Sequence, residues 1–187
     1  MKSNILDAGT SLLWQNGYGG TGIQEITLAA GVPKGSFYNH FASKEQLAIE
    51  AIDQYEMASA VSFAPLRDQS VSPLSRLLQY FEAQIEVVAG MGYKRGCLLG
   101  NLALEMSDHS ELIRQRILDA FHRWAAELDS VLADGQTRGE ITSSSNSTML
   151  AQFLLDAWEG AVLRSRTEGN GDAFDAFRQV ALRAVRS

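Results

Sequence analysis

Lys34-Gly35-Ser36-Phe37-Tyr38-Asn39-His40-Phe41 sets five hydrogen-bonding side chains around two phenylalanines spaced four apart. Residues at that spacing share one face of a helix, so Phe37 and Phe41 are expected to turn inward. Lys34, Ser36, Tyr38, Asn39 and His40 are then left outward. A short helix anchored by apolar rings on one side and crowded with donors and acceptors on the other can read base edges in the major groove of DNA. Gly35 would let the backbone come close to a sugar-phosphate chain. Lys44, with the N–H groups that open the next helix, offers a phosphate site.

Other reactive chemistry is sparse. Only His40, His109, His122 and Cys97 are present as histidines and cysteine. Cys97 and His109 could pair, but no third residue suggests itself to orient them, which argues against an enzyme. The same four residues lack the close spacing of a metal site, and no cofactor motif is present. Cys97 follows Lys94-Arg95-Gly96 at an expected helix start, where neighbouring cations and the helix dipole favour thiolate. A lone cysteine forms no internal disulfide and fits a reducing compartment. No stretch approaches the roughly 18 to 20 apolar residues of a membrane span, and the N-terminus runs straight into an amphipathic pattern, so no signal peptide is expected. A cytoplasmic protein is expected.

The net charge of −6 opposes phosphate binding, but it is unevenly spread. Residues 1–44 carry Lys2, Lys34 and Lys44 against Asp7 and Glu25, a net +1, while the remainder is acidic. A weakly basic head can bind DNA through a few placed cations if the acidic body stays away.

These residues must be positioned by helices. Prolines are only three, strict alternation is missing, and apolar residues recur at helical spacing. The pattern predicts an all-α fold of nine helices. The first covers about Ser3–Gln15, ended by Asn16-Gly17. The second begins after Thr21 as N-cap and carries Ile23, Ile26, Ala29 and Ala30, and the third covers about Lys34–His40. A fourth opens at Ser43 and reaches about Phe63, followed by a polar connector from Pro65 to Pro73. The fifth runs from Ser75 to Ala89, the sixth from Cys97 to Met106, and the seventh follows a Ser107-Asp108 cap. The eighth spans about Thr148–Arg166 and the ninth about Asp172–Arg186. Between helices two and three, Gly31 supplies the left-handed backbone of a helix-turn-helix.

The string from Ile5 to Leu47 resembles the TetR family of bacterial regulators. It carries Ile5-Leu6-Asp7-Ala8, Gly17-Tyr18, Thr21, Glu25-Ile26, Ala29-Ala30-Gly31-Val32, Lys34-Gly35-Ser36-Phe37-Tyr38, His40-Phe41 and Ser43-Lys44-Glu45-Gln46-Leu47. The resemblance implies a DNA-binding domain over 1–46, with the helix-turn-helix at about 22–41, and a ligand-binding and dimerisation domain over 47–187. It implies DNA contacts from Thr21, Gln24, Lys34, Gly35, Ser36, Tyr38, Asn39, His40 and Lys44, and a homodimer formed through helices eight and nine. It also implies an effector pocket with Tyr80, Tyr93, Cys97, Leu102, Met106, Phe121, Trp124 and Trp158 as candidate lining. The block Gly96-Cys97-Leu98 is similar to a subgroup that includes sensors of electrophiles and oxidants. The expected function is a ligand-responsive regulator, by family default a repressor, that binds a palindromic operator and leaves it when a small, mainly apolar or electrophilic effector binds. A DNA-binding protein that has lost sensing is the rival reading.

Overall fold

The helical spacing of apolar residues carries through to the computed structural model, which describes residues 1–186. In chain order the helices are α1 (Lys2–Asn16), α2 (Ile23–Ala29), α3 (Gly35–Tyr38), α4 (Lys44–Ser59), α5 (Ala64–Arg67), α6 (Pro73–Gly90), α7 (Leu98–Met106), α8 (Glu111–Thr137), α9 (Ser147–Glu168), α10 (Asp172–Ala176) and α11 (Leu182–Ala184). The chain is all-α. Among the described residues the only strand-like pairing is a single antiparallel bridge between Ile141 and Arg186.

The nine expected helices are present, with instructive differences. The Pro65–Pro73 connector is not wholly irregular: α5 forms one turn there, started by Pro65 and anchored by buried Leu66. Proline has no N–H to waste in the first turn of a helix and its φ suits that position. Residues 60–63, expected as the end of the fourth helix, instead tighten into a 3₁₀ turn. Two caps move as well. Gly22, not Thr21, caps α2, its N–H donating to Glu25 Oε2 at 2.8 Å. Ser110, not Ser107, caps α8, its hydroxyl accepting from the Ile113 N–H at 3.2 Å. Of the apolar residues expected on α2 and its end, Ile26 is buried, Ile23 and Ala30 are half-buried and Ala29 is exposed, while Thr27 is buried beside Ile26. The last helix is interrupted by a π-helical turn over Phe177–Ala181.

The chain forms two compact units. The first gathers Met1–Ala58 with Cys97–Asp119, so it is discontinuous in sequence. Its core takes Ile5 and Leu13 from α1, Ile26 from α2, Phe37 and Phe41 around α3, and Leu47 and Ile52 from α4. Leu98, Leu99 and Leu102 of α7 and Ile113 and Ile117 of α8 complete it. A Cβ at Gly9 would lie 2.7 Å from a Leu47 methyl, so glycine there lets α1 and α4 approach closely.

The second unit gathers Ser59–Gly96 with the chain from Ala120 onward. Its core is aromatic: Phe63 stacks on Tyr80 at 5.5 Å, Phe81 meets Phe177 at 4.9 Å, and Trp158 stacks on Phe174 at 5.3 Å. Arg76 is its one fully buried guanidinium. It pairs with Asp134 and donates to the Leu66 carbonyl at 3.1 Å, which ties α6 to α8 and to the single turn of α5. The paired carboxylate compensates the buried charge, while the Arg76 Nε is buried without a hydrogen-bond partner among the described residues.

Candidate nucleic-acid interface

The geometry around α3 follows from two rings. Phe37 and Phe41 are buried with centroids 5.5 Å apart. Short backbone bonds wind the segment about them, from Ser36 N to Pro33 O at 2.9 Å through to Phe41 N to Phe37 O at 3.0 Å. The regular helix is shorter than the sequence predicts, Gly35–Tyr38, with Lys34 and Asn39 as its flanking caps. The expected division of faces is present: Lys34, Gly35, Tyr38 and Asn39 are exposed, and Ser36 and His40 are half-buried. Tyr38 stands 58% exposed, its ring leaning edge-on against Phe37 at 5.4 Å.

Two glycines in this region have different reasons. Gly31 adopts φ 67°, which side-chain-bearing residues rarely tolerate, and so makes the turn between α2 and α3. Gly35 has no such need. Nothing in the chain lies within 4 Å of a Cβ placed on it, so its bareness serves no internal packing and leaves open space on the outward face.

The remaining candidates are placed less simply. Gln24 is exposed on α2. Thr21 is 1% exposed, and its hydroxyl donates inward to the Gly17 carbonyl at 2.7 Å. Lys44 donates to the carbonyls of Tyr18 and Thr21 at 2.8 and 2.9 Å and lies 4.0 Å from the centre of the Tyr18 ring. Burial lowers the affinity of this amine for its proton, and the nearby Glu105 carboxylate opposes that effect. Lys44 therefore braces the turn between α1 and α2. Sequence reasoning missed Glu105, which accepts hydrogen bonds from that same turn. Nothing local could have paired it with residues more than eighty positions away.

The candidate effector residues divide between the units. Cys97, Leu102 and Met106 are buried in the first; Tyr80, Trp124 and Trp158 are buried and Tyr93 and Phe121 half-buried in the second. In the second unit Tyr80, Trp124 and Trp158 belong to the aromatic core, and Tyr93 and Phe121 lie against it. Tyr80 also meets Phe81 at 5.0 Å, Trp124 meets Phe63 at 6.2 Å and Phe121 at 6.0 Å, and Tyr93 meets Phe174 at 6.4 Å. Cys97 caps α7 as expected and is 8% exposed. Among the described residues no three metal-ligating side chains cluster, and no helix is long and apolar enough to cross a membrane.

A second surface lies on α9 and the final helical segment. Phe153, Ala157, Gly160, Ala161, Ala176 and Val180 help line an open, mainly apolar groove of about 280 Å³. Phe153 and Val180 are 47% and 67% exposed, and Met149 and Leu163 on α9 are also open to solvent.

Comparison with known proteins agrees over nearly the whole chain. A family model described as bacterial regulatory proteins of the tetR family matches residues 5–51, and one described as the tetracyclin repressor-like C-terminal domain matches residues 73–181. The HTH-type transcriptional repressor DhaR of Mycobacterium sp. (strain GP1) is 36% identical, over 99% of this chain and 92% of its own. The crystal structure of a regulatory protein TetR from Rhodobacter sphaeroides superposes with a TM-score of 0.92 at 31% identity, covering 98% of this chain and 97% of that one. The reduced form of Escherichia coli NemR superposes with a TM-score of 0.85 at 28% identity, covering 97% and 93%.

Proposed function

This chain belongs to the TetR family of bacterial regulators, and from that premise we propose that it is a homodimeric repressor released from a palindromic operator by a small effector. That it is a DNA-binding transcriptional regulator, as its relatives are, and not an enzyme follows from the family. The observation that supports the DNA-reading site best is the outward face of α3, where Lys34, Gly35, Tyr38 and Asn39 stand exposed above two buried rings. Asn39 can pair bidentately with adenine, and Lys34 suits a phosphate or a guanine edge. Residues 1–46 would carry this reading function, residues 47–187 sensing and dimerisation, and the cytoplasm would house both.

Pairing of two copies through α9 and the final helical segment supplies two recognition helices. A closed two-fold dimer then matches half-sites about one helical turn apart, roughly 34 to 36 Å. Duplexes selected from a random pool by the purified protein are expected to converge on an inverted repeat with that spacing. Enrichment of unrelated or asymmetric sequences would count against the reading.

The effector is assigned as mainly apolar or electrophilic. Its apolar character is supported by the aromatic lining candidates, and its electrophilic character by Cys97 at the start of α7 and by similarity to NemR, whose structure is described as a reduced form. By reciprocal coupling, an effector that lowers operator affinity binds less tightly to the DNA-bound protein. A Cys97→Ser variant should stay on its operator at concentrations of N-ethylmaleimide or hypochlorite that release the wild type by tenfold or more. Equal release of both would make the cysteine a packing residue.

A further inference from the structure

Glu105, in the last turn of α7, spans the first unit to reach the turn between α1 and α2. One carboxylate oxygen accepts from the Tyr18 N–H at 3.1 Å and the other from the Gly19 N–H at 2.8 Å. The turn is shaped around that group. Gly17 has φ 78°, and a Cβ there would lie 2.1 Å from Glu105 Oε1; a Cβ on Gly19 would stand 3.4 Å from Oε2. The same turn is also held by Lys44, through the carbonyls of Tyr18 and Thr21. A carboxylate in the last turn of a helix opposes the helix dipole, so Glu105 is poorly placed for the sake of α7 itself.

Resting on the DNA-binding reading of the first unit, we propose that Glu105 is a positioning residue for DNA recognition. By gripping the amides of Tyr18 and Gly19 it fixes the direction in which α2 leaves α1, and with it the placement of Gln24 and of the turn into α3. Two charge-assisted bonds to backbone N–H groups are among the stronger restraints a side chain can exert on a turn. The assignment has a diagnostic sign. A carboxylate without such a role in a DNA-binding unit repels phosphate, and its removal tightens binding to any duplex. A positioning carboxylate does the opposite for the cognate sequence alone.

The test uses the full chain, a duplex selected by the wild-type protein and a scrambled duplex of equal length. Glu105→Ala and Glu105→Asp are expected to bind the selected duplex at least about tenfold more weakly, while binding to the scrambled duplex holds or tightens. Glu105→Gln, which keeps the length and one acceptor, should fall between them and the wild type. Amide exchange at Tyr18 and Gly19 should accelerate in the same order. If the Ala variant melts early, the Asp variant, which keeps the charge but not the reach, carries the comparison. Equal or tighter binding of the selected duplex, parallel loss on both duplexes, or unchanged exchange at the two amides overturns the proposal. Failure of the wild type itself to select any sequence would instead remove the DNA-binding reading, and the proposal with it.

Discussion

Tyr38→Ala is expected to leave the melting temperature within a few degrees of wild type and to weaken operator binding by about a hundredfold. The side chain is more than half exposed and meets its own subunit chiefly through the edge of Phe37, so its loss opens no cavity. What its loss is expected to cost is a contact to DNA. A hydrogen bond to a charged or well-aligned group contributes on the order of 1.5 kcal/mol, about tenfold, and a dimer makes the contact twice. Phe37→Ala provides the contrast. Its ring is wholly buried, and truncation should cost roughly 3 to 5 kcal/mol of stability and take DNA binding down with the fold. Fluorescence anisotropy beside thermal melting separates the two. Undiminished binding by the Tyr38 variant would remove α3 as the reading helix.

The second large effect is expected from Phe153→Glu combined with Val180→Glu. Both side chains stand open on the groove of the second unit, so the charges cost little in an isolated subunit. Buried between two copies, the four carboxylates would be desolvated and mutually repelled, which a paired interface does not withstand. Analytical ultracentrifugation should show a monomer, and operator affinity should fall at least about a hundredfold, because each half-site then binds without the effective concentration its partner supplies. A variant that remains dimeric would place the subunit contact elsewhere.

Much of this architecture could be read from residue order, and the exceptions share a cause. The paired faces of α3 were legible because Phe37 and Phe41 lie four apart and their surroundings are polar, a purely local relation. The turn at Gly31 was legible because one backbone conformation demands glycine. The caps of α2 and α8 were misplaced because several small or polar residues precede each helix and compete equally on paper; Glu25 and Ser110 settle the choice through bonds that depend on the helix already formed. α5 escaped because a single turn has no period to detect, and what holds it is the burial of Leu66 and the Arg76 bond to the Leu66 carbonyl, both made by distant parts of the chain. The π turn at Phe177–Ala181 shifts the phase of the last helix, which a constant 3.6-residue count cannot anticipate. Whether Tyr80, Trp124 and Trp158 wall a ligand or fill a core is likewise unreadable from spacing, since both uses call for the same residue types. Glu105 lies furthest beyond reach, for its cradle exists only once α7 is folded beside α1.

The split composition of the first unit, Met1–Ala58 with Cys97–Asp119, bears on how this regulator can be re-engineered. A reading head excised by one cut after α4 would lose the carboxylate that seats its opening turn. It would also lose the Ser110 hydroxyl that meets Glu45 and the Arg116 guanidinium 3.3 Å from Asp53. Chimeras that graft this head onto a foreign sensor should therefore transplant both segments together, or match the recipient's α7 and early α8 to the incoming turn.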